Sequence, residues 1–277
     1  MPHANRPLVS VVMATYNDEP RFLEAAIGSI AAQSYGEWQL VVVDDSTNDE
    51  TRSLLDRFAG ELGAKMLLAR NDKRLGFVRS INRGIELAGG ELIARMDGDD
   101  IAAPDRLAAQ VDYLREHQDV GILGGYVRII AEDGSPLAVR RYKSSRAEIE
   151  RTCFIRNPLA HPAVMMRRSV LESIGSYDES FKKAEDYELW LRALKRSVRI
   201  ENLPQVLIDY RVQRDYSAKR DKSNWSFAVK AKLKNFNGHR PLRSAFGLCL
   251  SLGMALLPRA VLNRLYARDH ESPILYG

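Results

Sequence analysis

The chain predicts an α/β protein built on a doubly wound, mostly parallel sheet with flanking helices, followed by a basic and apolar helical extension. Two observations carry this reading. Four apolar runs without strict alternation are separated by stretches of helical periodicity, as expected of parallel strands covered on both faces. Three of those runs end in polar clusters, at the edge where open α/β sheets gather ligands.

Leu8–Ala14 is the first strand. Pro20, suited to a first helical turn, opens a helix with Leu23, Ala26, Ile27, Ile30 and Ala31 at helical spacing. Leu40–Val43 is a second buried strand, a polar turn leads into a helix over Thr51–Phe58, and Met66–Leu68 is a third strand. After Gly76 a helix carries Phe77, Ile81 and Ile85 on one face, and Leu92–Met96 is the fourth strand. Pro104 starts a helix with Leu107, Val111 and Leu114 at i, i+4 and i+7. Val120–Ala131 is rich in β-branched residues and meets Asp133-Gly134, a hairpin signal. A strand near Ala163–Met166, a helix from Ala184 to Lys195, and strands at Val198–Ile200 and Val206–Tyr210 complete a domain of residues 1–215. Residues 216–277 form the extension.

At 277 residues, 45% hydrophobic and 28% charged, the chain suits a soluble protein of one large domain plus an appendage. Cys153 and Cys249 have no CxxC partner, so neither a disulfide framework nor a zinc site is indicated, and a reducing cytoplasmic location is expected. The first apolar run is cut short by Thr15-Tyr16-Asn17-Asp18 and lacks the charged start of a signal peptide. Charge is uneven. Residues 216–277 hold eleven Lys/Arg against three Asp/Glu, so a net +8 there leaves −3 on residues 1–215 of the total +5. A basic tail on an acidic body suggests contact with an anionic surface.

The polar clusters are Thr15-Tyr16-Asn17-Asp18, Asp44-Asp45-Ser46 and Asp97-Gly98-Asp99-Asp100. Carboxylates crowded around one glycine repel each other, and a hard divalent cation relieves them; a solvated acidic turn is the plainer alternative. Asp45 can accept hydrogen bonds from a base or ribose, or cap the next helix, a task equally open to Ser46 or Asn48. Arg79, in the first turn after Gly76, sits where a helix start favours anions; it is placed for a diphosphate or simply faces solvent. No GxGxxG or P-loop string follows the first strand.

The strings SVVMATYND, VVVDDSTNDET, GFVRSINRGIELAGGELIARMDGDD and KKAEDYELWLRA, in order over roughly residues 8–212, resemble the family 2 glycosyltransferases with a GT-A, Rossmann-like fold. The resemblance implies metal-dependent, inverting transfer from a nucleoside-diphosphate sugar, most often a UDP-sugar, with Mg or Mn as cofactor. It implies a nucleotide-sugar half over about residues 1–100 and an acceptor half over about 101–215. It puts Thr15 and Asp45 at the nucleotide with Asp44 beside them, Tyr16 and Asn17 in the same cluster. It matches Asp97 and Asp99 to the DxD motif, with Asp99 as the direct metal ligand, and Asp186 to the general base.

Helical geometry also favours Asp186 over its neighbour. Tyr187, Trp190, Leu191 and Leu194 form an apolar stripe, and Asp186 lies about 40° from Trp190 at its rim, whereas Glu185 points to the far face with Glu188 and Arg192. Asp186 facing a cleft and Asp186 merely favouring the helix dipole both remain open on geometry alone. His161 of NPLAHPAVMM, with Glu185 and Trp190, is assigned to the acceptor side. Gln213 stands where the family's Tyr-Arg-x-His carries a histidine, so that metal contact is in question.

Residues 242–262 hold an apolar run bracketed by Arg243 and Arg259, shorter than the ~20 residues needed to span a bilayer. Together with the basic residues around it, this run indicates peripheral attachment to the inner face of a bacterial plasma membrane; packing on the catalytic domain or in a homodimer is the alternative. No nucleic-acid-binding motif accompanies the charge. The leading expectation is a surface-polysaccharide glycosyltransferase with a lipid-linked glycan acceptor. A sugar nucleotidyltransferase and a non-catalytic nucleotide-sugar-binding protein are the competing readings.

Overall fold

A computed structural model describes residues 6–212, 222–236 and 241–256. Its first half runs β1 (Val9–Thr15), α1 (Pro20–Ala31), β2 (Trp38–Asp44), α2 (Asp49–Leu62), β3 (Met66–Arg70), α3 (Phe77–Leu87) and β4 (Leu92–Arg95). These strands pair in parallel in the order β3-β2-β1-β4. The two faces of β1 show why its sequence does not alternate. Val9, Val11 and Met13 pack with Leu23, Ile27 and Ile30 of α1 and Leu55 of α2, while Val12 packs with Ile81 and Ile85 of α3. Both sides are core, so up to Ala14 the strand is apolar except for Ser10, which is buried with its hydroxyl oxygen accepting from Gln39 and the Gly90 N–H.

The second half comprises β5 (Ile101–Ala102), α4 (Arg106–Glu116), β6 (Val120–Ile130), β7 (Pro136–Arg140), α5 (Arg146–Thr152), β8 (Met165–Arg167), α6 (Arg168–Ile174), α7 (Glu185–Lys195) and β9 (Arg199–Arg211). Pairing here is largely antiparallel. β8 lies antiparallel between β4 and β6, with Ile93 opposite Met166, and β6 pairs in parallel with β9. β5 pairs antiparallel with the end of β9, Ile101 opposite Asp209. That last pairing positions the site, because β5 follows directly on Asp97–Asp100.

Several elements differ from the sequence reading. The strands expected at 198–200 and 206–210 are one strand, β9, whose register against β6 shifts around Gly125–Val127. Phe77 is 39% exposed and lies off the buried face of α3, which is formed by Val78, Ile81 and Ile85. α5 and α6 were not foreseen, although α5 opens with a Ser145/Glu148 capping box. Beyond the sheet, α8 (Lys222–Lys234) packs beside α7, with Phe227 against Phe181, and α9 (Pro241–Leu256) packs on α8.

α3 approaches β1 through Gly84, where a Cβ would stand 2.5 Å from Val12 Cγ1. Val12 is itself fully packed between sheet and helix, so it has no space into which to retreat. Gly84→Val is therefore expected to destabilise the fold by about 1–3 kcal/mol in a denaturant titration, overpacking outweighing the gain in helix propensity. An unchanged midpoint would contradict this packing.

Candidate active site

The loops after β1 and β2 are stitched together by Asn17. Its backbone takes a left-handed conformation (φ 51°), tolerable for Asn, and its side-chain oxygen accepts from the Thr47 and Asn48 N–H groups at 2.8 and 3.2 Å. Its own N–H donates to Ser46 Oγ at 2.9 Å. Asp44 is buried and accepts from Ser46 N–H, Thr15 Oγ1 and Arg70 Nε. Asp45 is occupied by the chain itself: Asn71 Nδ2 donates to it at 2.6 Å, Gly76 N–H at 2.7 Å, and Leu75 N–H reaches both of its oxygens. Burial alone would raise this carboxyl, but these donors outweigh burial and hold it below the usual range. Asp45 thus fixes the turn leading into α3, and Asn48, accepting from Thr51 N–H, caps α2. Tyr16 is 39% exposed, with the Arg74 guanidinium 3.8 Å over its ring.

β4 delivers Arg95 and then the acidic turn. Arg95 is buried and its guanidinium pairs with Asp97, while Nε and Nη1 have no protein partner. Asp97, Asp99 and Asp100 each offer a carboxylate oxygen within 4.8 Å of the others. Arg211, at the end of β9, clamps this turn from behind: its N–H donates to Asp100 Oδ1 and its Nε to the Asp99 carbonyl, both at 2.9 Å. Asp100 is fully buried with Oδ2 unpartnered, and burial, with Asp97 and Asp99 nearby, raises its carboxyl well above the usual range. Asp18 from the β1 loop completes the cluster. A Cβ on Gly98 would stand 2.7 Å from Asp18 Oδ2, so only glycine fits beneath it. Burial first, then Asp99 and Asp97, push Asp18 up to about 7. An all-oxygen set carrying this much mutually repelling charge fits a hard divalent cation such as Mg or Mn, with Asp99 and Asp97 as the residues to hold it.

A cleft of about 490 Å³ opens beside the cluster, lined by Tyr16–Pro20, Phe22, Asn48, Glu50 and Asp99, a size suited to a small ligand. A second cleft, also about 490 Å³ and lined by Glu91, Arg115, Arg167 and Arg168, lies at the opposite end of β4, away from the carboxylates.

α7 brings the remaining acids. Ala184, just before the helix, sits in a left-handed conformation (φ 56°), an unfavourable state for alanine that turns the chain so that Glu185 and Asp186 both enter the same interior. Asp186 Oδ2 accepts from Asn157 Nδ2 at 2.6 Å; burial raises its carboxyl, an effect moderated by that bond and by Arg95. Burial, then the charge of Asp186, push Glu185 up to about 7, and Arg95 and Asp97 also act on it. His161 lies 3.9 Å from Glu185 and shares a 2.8 Å hydrogen bond with the Tyr177 hydroxyl. Burial first, and Arg95 second, hold His161 well below its ordinary pKa, so it is neutral. Phe77, Tyr177 and Trp190 surround its ring.

Thr15, Tyr16, Asn17, Asp44 and Asp45 line the carboxyl edges of β1 and β2, and Asp97 and Asp99 follow β4. Glu185, Asp186 and His161 gather around Arg95. Two expectations need correction. Glu185 does not point away: its side chain is 13% exposed and faces His161, because the helix starts from a bent backbone rather than an ideal wheel. Trp190 is 0% exposed and stands behind His161 in the core, with no surface to offer an acceptor. Arg79, expected at a diphosphate or facing solvent, pairs with Glu179 at 2.8 Å on an exposed face. Gln213 lies outside the described residues. Sequence reasoning placed Asp18 in the first polar cluster without a role of its own and passed over Arg95, Asn157 and Tyr177. Arg95 had left a signal, a cation inside an otherwise apolar strand, but Asn157 and Tyr177 sit in loops without pattern.

Comparison with known proteins follows from this geometry. The profile of the family described as "Glycosyl transferase family 2" matches residues 10–175. The amylovoran biosynthesis glycosyltransferase AmsE of Erwinia amylovora is 28% identical over 272 residues, 95% of this chain and 100% of that one. An Escherichia coli UDP-Gal:alpha-D-GlcNAc-diphosphoundecaprenol beta-1,3-galactosyltransferase is 28% identical over 216 residues, 77% of this chain and 78% of that one. The mannosyltransferase PcManGT of Pyrobaculum calidifontis, solved with GDP-Man and Mn2+, superposes with a TM-score of 0.66 at 22% identity, covering 96% of this chain and 81% of that one, which establishes the GT-A fold. The chain belongs to glycosyl transferase family 2 and is a glycosyltransferase.

Proposed function

We propose that this glycosyltransferase moves a sugar, with inversion, from a nucleoside-diphosphate sugar (a UDP-sugar) to a hydroxyl of a lipid-linked glycan during surface-polysaccharide synthesis, with Asp186 as general base. The observation that carries the reading is electrostatic: Asp97 of the DxD motif and the Glu185–Asp186 pair, nearly ninety residues apart in sequence, share the field of the same buried guanidinium, Arg95. Donor end and base therefore adjoin. Similarity to AmsE supports the polysaccharide role, and similarity to the E. coli galactosyltransferase supports both a UDP-sugar and a lipid-diphosphate acceptor. Family membership displaces the nucleotidyltransferase and non-catalytic alternatives.

In this reading residues 1–215 carry the chemistry and 216–277 the attachment to the inner face of the plasma membrane. Tyr16 offers the nucleobase the ring face that Arg74 does not cover, Thr15, Asn17 and Asp44 shape the wall beside it, and Asp45 contributes through the turn it fixes. Asp97 and Asp99 would hold a divalent cation, which would supply positive charge to offset that of the leaving diphosphate. Asp186, held by the Asn157 bond and by backbone N–H groups at the start of α7, takes the proton of the acceptor hydroxyl as that oxygen bonds to the anomeric carbon and the sugar–phosphate bond breaks on the opposite side. His161, neutral and braced by Tyr177, supplies a polar contact to the acceptor without adding charge.

Three measurements test these roles. Asp186→Asn should lower kcat by ~10²–10⁴-fold while calorimetric affinity for the donor stays constant; full turnover would remove Asp186 from the base role. Asp99→Asn should abolish the Mn-dependent part of donor binding, and a Mn-dependence equal to wild type would refute the metal assignment. A base must be deprotonated, and burial raises the Asp186 carboxyl, so the acid limb of kcat/KM should lie above the ordinary carboxylate range. Glu185→Gln should move that limb to lower pH, and a profile that is flat from pH 5 to 8 would count against a coupled pair.

A further inference from the structure

The helix α9 is packed inside out. At 100° per residue, Leu242, Phe246, Leu250, Leu252 and Leu256 lie on one arc of about 160°, and all are exposed, Leu242 and Leu256 by 85% and 82%, Phe246 by 61%. No charged residue falls within that arc. The inward arc is mostly polar and small: Ser244 and Ser251 are buried with Leu248 half-buried beside them, and Gly247 lies so close to the Phe154 backbone that any side chain would collide with it. Lys232 of α8, 2% exposed, anchors this inner face by donating to the Gly247 carbonyl at 2.9 Å and to Ser251 Oγ at 2.5 Å. A helix of a soluble protein buries its apolar arc. This one buries serines and holds four of its five leucines out, which is stable only if something apolar covers them.

We infer that the outward arc of α9 lies in the headgroup–acyl boundary of an anionic bilayer and docks the enzyme there. Three observations select a membrane over a protein partner. α9 spans 16 residues, about 24 Å at 1.5 Å per residue, too short to cross the ~30 Å hydrocarbon core but suited to lying along its surface. The chain around it is strongly basic, +8 over residues 216–277, with Arg243 and Arg259 flanking the apolar run, which complements anionic headgroups. The residues next to the seat of the helix continue the same character: after Phe154 come Ile155, 38% exposed, and exposed Arg156. The arrangement also bears on the acceptor. Phe154, on which α9 sits, is three residues from Asn157, the hydrogen-bond partner of Asp186. Docking through α9 therefore sets the bilayer beside the acceptor end of the site, so this inference deepens the lipid-linked reading and rests on it.

The test is co-sedimentation of the full chain with vesicles of phosphatidylglycerol or phosphatidylcholine. Binding to phosphatidylglycerol is expected, weakened by high salt and by the zwitterionic lipid. Phe246→Asp with Leu250→Asp, both at exposed positions, should reduce the bound fraction roughly tenfold or more, with thermal unfolding and transfer to a water-soluble acceptor analogue unchanged. Leu242→Asp, at the first turn, should act in the same direction and guards against a local folding defect. Wild-type protein that ignores both vesicles, or a double variant that binds as wild type, would overturn the inference. So would a wild-type dimer in ultracentrifugation that the double variant disperses, since the arc would then join two copies. Vesicle binding retained alongside full turnover of Asp186→Asn would remove the base assignment and leave the docking surface standing.

Discussion

The buried pairing of Arg95 with Asp97 is the constraint around which this molecule is organised. A guanidinium with almost no solvent access is tolerable only where charge compensates it, and here the compensation comes from several directions. Asp97 bonds it directly, while Glu185, Asp186 and Asp100 all lie within range of its field. Removing one partner of such a buried pair typically costs about 3–5 kcal/mol, because the survivor is left charged and dry. Arg95 thus has two effects. It gathers acids from two halves of the fold, and it adds to the burial that keeps a neighbouring imidazole neutral.

Behind Arg95 a second arginine supports the backbone. Arg106 is fully buried in α4 and donates to the Arg95 carbonyl at 2.8 Å and to Gln110 Oε1 at 3.2 Å. Burial, followed by the like charge of Arg95, brings it down to about 9, a large displacement for a guanidinium and a measure of how dry this region is. Arg211 plays the matching part on the far side of the acidic turn. Two backbone-clamping arginines and the β5–β9 pairing together hold Asp97–Asp100 in a conformation that its own charge repulsion opposes. Rigid support of this kind is what a preorganised charge-stabilising site requires.

The helices after the sheet obey a different economy. α7 is joined to α8 by Glu188, a fully buried carboxylate satisfied by Arg192, Lys234 and Asn235. The face of α7 expected to meet solvent is therefore an interface, and the basic residues of α8 are partly spent there on structure. α9 then reverses the usual burial. One strongly charged region thus serves two ends: internal pairing close to the catalytic domain, and an outward apolar face farther along.

Much of the fold was legible in the sequence for physical reasons. Strands covered on both faces are mostly apolar, as Leu40–Val43 and Leu92–Ala94 are, and the clusters Thr15–Asp18, Asp44–Ser46 and Asp97–Asp100 mark carboxyl edges because an uncompensated acid is costly inside a sheet. Strand direction was not legible, since the apolar run at Met165–Met166 reads alike whether it lies parallel or antiparallel to β4. The orientation of Glu185 escaped as well, because an ideal helical wheel takes no account of the left-handed Ala184 that precedes it. Local composition and period by themselves determined the layers and the ligand-binding edge, and the ordered motif strings carried the family resemblance. Only tertiary structure decided that Asp18 crowds Asp99, that Asp45 is consumed by its own turn, that Trp190 is hidden, and that α9 faces outward. Each of these depends on which distant segment fills the space beside a side chain, and burial and charge are properties of that assembled surrounding rather than of neighbours in sequence.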